Sequence, residues 1–177
     1  HIDLRSEMEI KKVPTKELVN KDHPEVIEIW NLVFIEYNRR SNGKLESLPN
    51  KHVDTGMGLE RLSMALKGIG STYEIEIFKS IMKDISKISD YKYGDNEKTD
   101  VAFRVISDHI RAITFTISDG EIPSNNKAGY VIRRILRRAI RYGFSILNIK
   151  SPFLFKLVKT VVNEYQDIFD NLKDQKE

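Results

Sequence analysis

The sequence predicts an α+β chain, with strands confined to residues 1–70 and helices filling residues 71–177. Three observations carry that prediction. Residues 27–38 (IEIWNLVFIEYN) are dense in β-branched and aromatic side chains and run into an Asn42-Gly43 turn signal, the pattern of a strand entering a hairpin. From Ser71 onward apolar residues recur every three or four positions, as one face of a helix requires. Gly68 and Gly70 fall where the two patterns meet, at the expected C-terminus of a helix.

Within the first segment a helix competes with the strand over 27–38. Pro24 and Pro49 bracket the unit, each disfavouring helix at the residue before it. Residues 53–62 (VDTGMGLERL) then lead through two glycines into a helical pattern at Leu59, Leu62, Met64, Ala65 and Leu66. In the second segment Ile75, Phe78, Ile81, Met82, Ile85 and Ile88 mark one helix, closed by a polar loop over 91–100. Thr99 is the expected N-cap of a long helix to Ile117, with Val101, Val105, Ile106, Ile110, Ile113 and Ile117 facing inward. A loop over 118–126 precedes a helix over 129–142, and a last helix is expected over 153–172.

Composition removes several function classes. With 40% hydrophobic and 31% charged residues the chain has the make-up of a globular protein, not a disordered one. It has no cysteine, hence no disulfide framework and no thiolate zinc site. The four histidines, His1, His23, His52 and His109, lack any His-x-His or His-x-x-x-His spacing, so no metal site is expected. No apolar run reaches the roughly 18 residues of a membrane span, and the start lacks the basic-then-apolar order of a signal peptide. The chain reads as soluble and cytoplasmic. Its first residue is His, which suggests a start inside a longer reading frame or a trimmed end.

The net charge of +3 hides an asymmetry. Residues 1–100 carry 16 basic and 18 acidic side chains, net −2, whereas residues 101–177 carry 13 and 8, net +5. No carboxylate occurs from Ile122 to Asn163, a stretch that holds Lys127, Arg133, Arg134, Arg137, Arg138, Arg141, Lys150, Lys156 and Lys159. At 100° per residue the five arginines fall within an arc of about 140°, opposite Val131, Ile132, Ile135, Leu136, Ala139 and Ile140. A solvated helix face normally mixes both signs. Five like charges with no acidic i±4 partner cost stability unless an anion docks on them, and arginine suits bidentate phosphate contact. A membrane surface would ask for aromatic anchors beside the basic face; nucleic acid is the better partner, and A-form RNA the better form.

Residues 53–62 fit neither a Walker loop nor a dinucleotide fingerprint, since no Gly-Lys-Ser/Thr and no third glycine follow. One reading is a tight strand-to-helix turn. The other is a ligand site, in which glycines permit close approach, a buried Asp54 carboxylate takes an ammonium group and Arg61 a phosphate. Elsewhere, Trp30 reads as a core residue and His109 beside Asp108 as a hydrogen-bonded structural histidine; Tyr130 and Tyr142 could stack on bases, but helix spacing sets Tyr142 at the edge of the apolar face, which favours packing.

Residues 53–62 resemble motif 3 of the class II aminoacyl-tRNA synthetases, in the form found in the alanyl-tRNA synthetase family. Residues 28–38 (EIWNLVFIEYN), 108–112 (DHIRA), Asp119-Gly120, Pro123-Ser124-Asn125 and 129–143 (GYVIRRILRRAIRYG) resemble the same family, in the same order and at similar spacing. The likeness covers essentially the whole chain, and the ordered combination is highly specific.

The resemblance implies that residues 1–70 are the C-terminal part of a class II antiparallel-sheet catalytic domain and residues 71–177 the start of a helical tRNA-recognition domain. The implied reaction is activation of alanine with ATP and Mg2+, followed by transfer to tRNA(Ala). Asn31 and Val33 match positions that line the alanine pocket, Asp54 the carboxylate that binds its ammonium group, Gly56 and Gly58 the pocket floor with Gly58 on the ATP side, and Arg61 the motif 3 arginine that contacts ATP. Asn125 matches an asparagine that reads a guanine-uracil wobble pair of the acceptor stem from the minor groove. Lys127 and the five arginines would hold the phosphates nearby, positioning without specifying. Nothing here resembles motifs 1 and 2, the aspartate that partners Asn125, or the editing domain with its zinc ligands. The chain alone is therefore expected to be inactive. The alternative is a free-standing helical RNA-binding module in which residues 53–62 are merely a turn.

Overall fold

A computed structural model describes residues 1–174. The chain is α+β and divides into two compact units, His1–Ile75 and the described residues from Glu76 onward.

The first unit opens with β1 (Ile2–Asp3), α1 (Glu7–Lys12), a 3-10 turn at Thr15–Glu17 and β2 (Val26–Ile27), which pairs antiparallel with β1. The Arg5 guanidinium donates to the Asp3 carboxylate at 2.6 Å and to the Val13 carbonyl at 3.0 Å, and the Thr15 hydroxyl donates to Asp3 at 2.6 Å. One carboxylate thus ties the strand, the helix end and the turn together.

A long hairpin follows, β3 (Trp30–Arg39) against β4 (Leu45–Met57). The strand reading of 27–38 holds, and the Asn-Gly signal closes the turn. Gly43 sits at φ 82°, the Arg40 N–H donates to the Lys44 carbonyl at 2.9 Å, and Asn42 accepts from the Lys44 N–H at 3.0 Å. Pro49 does not bound this unit as expected: it lies inside β4, where the register slips between the Ile35–His52 and Tyr37–Ser47 pairs. A bulge leaves a backbone N–H unpaired, so a residue without one is tolerated there. The glycine-rich segment makes the tight strand-to-helix turn expected of it, at its second glycine. Gly56 continues β4, and only Gly58 leaves it, as N-cap of α2 (Leu59–Lys67). Gly68 ends that helix at φ 62°, the left-handed C-cap geometry that glycine adopts without strain.

The second unit is built from α3 (Glu76–Ile88), α4 (Glu97–Ser118), α5 (Lys127–Ser145), α6 (Leu154–Tyr165) and α7 (Asp170–Asp174). α4 packs against α3, α5 and α6. Phe103, Ile106 and Ile110 of α4 meet a core that also holds Ile81 and Ile85 of α3, and Leu157 and Val161 of α6. Three expectations change here. The N-cap of α4 is Asn96, whose side chain accepts from the Thr99 N–H at 3.1 Å, while Thr99 returns its hydroxyl to the Asn96 carbonyl at 3.0 Å. Val101 and Val105 are only half-buried and Ile117 is exposed; Ala102 and Phe103 take the inner positions instead. The last helix breaks after Tyr165, and the chain turns so that Phe169 sets its ring edge-on to Phe115 at 5.1 Å beside Tyr165.

Candidate functional site

The hairpin register decides which side chains can share a surface. Asn31 pairs with Gly56 and Val33 with Asp54. Because successive residues of a strand alternate faces, Asn31, Val33, Asp54 and Gly56 lie together on one face, and Trp30, Leu32, Thr55 and Met57 on the other. The four residues assigned to one pocket in sequence are therefore neighbours across one ladder. Gly56 has open space where a Cβ would stand, a gap in that face beside Asn31. Asp54 does not have the buried setting its neighbours in sequence suggest: it is exposed, with one carboxylate oxygen accepting from the Thr55 N–H at 2.9 Å. The rest of the carboxylate is open to a cation.

Gly58 and Arg61 follow at the strand-to-helix junction. The Gly58 N–H donates to the Ile29 carbonyl at 3.2 Å, and the Arg61 guanidinium reaches back to the Glu28 carbonyl at 2.9 Å. Arg61 thereby ties the start of α2 to the chain entering β3. Trp30 is not the core residue expected: it is 52% exposed, and its indole N–H donates to the Thr55 hydroxyl. Leu32, Phe34 and Val53 on the Trp30 face are also exposed, as is Val33 on the face of Asn31 and Asp54, so one face is apolar, the other mixed, and both are open.

The second cluster sits on α5. Gly129, Ile132, Ala139 and Gly143 form its buried stripe, and all five arginines are exposed on the opposite side. Val131 and Ile140, expected inside, are exposed as well, which narrows the apolar stripe. Among the described residues none of the five arginines has a carboxylate partner. Arg134, Arg137, Arg138 and Arg141 line an open cavity of about 720 Å³ with Tyr142, Ser145 and Ile146. The aromatic supports were hidden in the sequence by their reading as packing. Arg134 lies 5.9 Å from the centre of the Tyr130 ring and Arg138 5.7 Å from that of Tyr142. Both are i,i+4 pairs on one helix face, a spacing that could have revealed them.

Asn125 and Lys127 stand at the start of the same helix, both exposed, and Lys127 is not among the residues lining the cavity. The loop before the helix is drawn close to it. The Ser124 N–H donates to the Gly129 carbonyl at 3.0 Å, and a Cβ on Gly129 would stand 2.5 Å from the Ile122 carbonyl oxygen. His109 keeps its structural reading. Its Nδ1 lies 3.2 Å from the Asp108 carboxylate, and that bond holds Asp108 below the usual carboxylate range.

Among the described residues no three His, Asp or Glu side chains are grouped to hold a metal ion, and no helix is long and apolar enough to cross a membrane. The model of the class II (A) tRNA synthetases matches residues 1–177. Over 177 residues the chain is 55% identical to a protein named alanine–tRNA ligase from Cytophaga hutchinsonii, and over 175 residues 55% identical to one of the same name from Christiangramia forsetii. A third, from Bacteroides fragilis, is 53% identical over 177 residues. These matches cover 100%, 99% and 100% of the chain and 20% of each relative, so the chain spans about a fifth of their length. Matched by the family model from its first residue to its last, the chain belongs to the class II (A) tRNA synthetases.

Proposed function

We propose that these residues are part of an alanine–tRNA ligase, which activates alanine with ATP and transfers it to tRNA(Ala). The observation that carries this reading is the one-face placement of Asn31, Val33, Asp54 and Gly56 by the β3–β4 register. A small amino acid needs a carboxylate for its ammonium group, a side chain short enough to leave room, and little else. Asp54 supplies the first and Gly56 the second, with Val33 setting the width available to the methyl group. The Asn31 amide is placed beside the gap at Gly56 to orient the alanine carboxylate. Gly58 and Arg61, one turn further, stand on the ATP side, where the guanidinium contacts the nucleotide. ATP brings Mg2+ as its counter-ion; the described residues offer it no carboxylate cluster, and none is assigned as its ligand.

On this reading residues 1–70 belong to the catalytic domain and residues 71–177 to a tRNA-recognition domain. The four cavity arginines hold acceptor-stem phosphates. Tyr130 and Tyr142 lie under two of the guanidiniums and limit their rotamers, which reduces the entropy lost on binding. Asn125 reads the wobble pair. The chain spans a fifth of its relatives' length, and the activity is proposed for the full-length protein, with the isolated chain expected to be inactive. A free-standing RNA-binding module is the second reading; the match of the synthetase family model over residues 1–177 favours the ligase.

The test is alanine-dependent exchange of pyrophosphate into ATP by the full-length protein and its Asp54→Asn variant. Asparagine keeps the shape but not the charge that holds the ammonium group, so kcat/KM for alanine falls, by about tenfold or more for a charge-assisted hydrogen bond of about 1.5–3 kcal/mol, while KM for ATP moves little. An unchanged alanine saturation curve removes Asp54 from the pocket.

A further inference from the structure

Five arginines share the exposed side of α5, but they do not do the same thing. Arg134, Arg137, Arg138 and Arg141 line the cavity, whereas Arg133 at the edge of the arc is not among its lining residues. Its guanidinium instead donates to the Oδ1 of Asn125, eight residues back in the loop before α5. From this we infer that Arg133 is a positioning residue for Asn125: it fixes the orientation of the Asn125 amide so that its N–H groups face the RNA. The inference rests on the reading of Asn125 as the reader of the wobble pair.

The chemistry leaves one orientation. An asparagine amide has an acceptor end and a donor end that nearly superimpose on rotation by 180°, and the partner decides which end points where. Arginine has donors only. Docked on Arg133, Oδ1 is turned inward and both Nδ2 hydrogens are left for a ligand. Minor-groove edges offer acceptors at purine N3 and pyrimidine O2, and guanine adds a single amino donor. An amide held this way seeks acceptors and is not free to rotate and accept from the guanine amino group.

The backbone around Asn125 supports the same purpose. The Ser124 hydroxyl donates to the Asn126 carbonyl at 3.0 Å and accepts from the Asn126 N–H at 3.3 Å, bracketing Asn125 from both sides. The Ser124 N–H is tied to Gly129 at 3.0 Å, and Gly129 has no room for a side chain against Ser124 and Ile122. The main chain is therefore fixed to the first turn of α5. What Arg133 adds is the amide's rotation, which decides whether its donors or its acceptor face the RNA.

The test is aminoacylation by the full-length protein of two acceptor stems, one with the guanine-uracil pair and one with guanine-cytosine, for wild type, Asn125→Ala, Arg133→Met and the double variant. The expected result is that Arg133→Met lowers the wobble-over-cytosine ratio of kcat/KM by at least about tenfold, that it adds nothing further in the Asn125→Ala background, and that it leaves the salt dependence of binding unchanged. If instead Arg133→Met weakens both stems equally, acts additively with Asn125→Ala and lowers the salt slope by about one, Arg133 is a phosphate contact and the inference is overturned while Asn125 keeps its role. If Asn125→Ala itself leaves the ratio unchanged, the reading of Asn125 falls, and the inference with it. Far-ultraviolet circular dichroism of each variant excludes loss of α5 as the cause.

Discussion

At the scale of single residues, the most constrained positions are those where a missing side chain makes room. Gly143 lies in the last turns of α5, and a Cβ there would stand 2.3 and 2.5 Å from two atoms of the Phe153 ring. Two effects oppose each other in Gly143→Ala. Alanine favours helix by about 1 kcal/mol, but Phe153 is 4% exposed and cannot swing away, and overpacking costs about 1–3 kcal/mol. The clash wins, so Gly143→Ala lowers the melting temperature. Pairing it with Phe153→Leu, which removes the offending ring atoms, recovers part of the loss. A Gly143→Ala protein at least as stable as wild type would show that Phe153 can yield. Nothing in the helical periodicity of residues 129–143 announces this contact, because the ring comes from beyond the helix. Asp54 is the contrary case: its residue type beside two glycines is informative even though its exposure was misjudged.

At the scale of elements, strand and helix types follow from local chemistry, and their ends follow from partners. The β-branched run and the Asn-Gly turn specify β3 and its hairpin. Yet Pro49, a strong boundary signal, is absorbed by a bulge that only the pairing with β3 creates. Asn96 and Thr99 both suit an N-cap, and the choice falls to Asn96 because Thr99, buried at 4% exposure, serves the cap from the third helical position. α6 stops at Tyr165 although the apolar pattern runs on, since the ring cluster with Phe115 and Phe169 requires a turn there. The Asp3 knot was illegible for the same reason: Arg5, Val13 and Thr15 meet it only after the chain has folded. The Arg5 hydrogen bond holds the Asp3 carboxyl far below the ordinary carboxylate range. The unfolded chain therefore takes up that proton first, so the stabilisation is complete above the unfolded carboxylate value and is lost as pH falls through the folded one. The stability gap between wild type and Asp3→Asn, measured by urea unfolding, should narrow steadily below about pH 4; a gap independent of pH would mean that Asp3 is held by shape and not by charge.

At the scale of the molecule, the charge asymmetry seen in the sequence becomes a surface. The run from Ile122 to Asn163 without a carboxylate supplies a helix whose exposed side carries arginine and no counter-charge. That much was legible, because it depends only on composition and a period of 3.6. The division of labour was not: an angular arc places Arg133 with the others, and only the loop carrying Asn125 separates it from them. The account has the first unit hold the amino acid and the second hold the RNA that receives it. The most direct test is the affinity of the full-length protein for an alanine acceptor stem across a series of salt concentrations, beside a variant carrying Arg137→Gln and Arg141→Gln. Each phosphate contact contributes close to one to the slope of log K against log salt. The account predicts a steep slope for wild type and one shallower by about two for the variant, with the preference for the wobble stem retained. Identical slopes would contradict it, leaving the arginine face of α5 without its RNA.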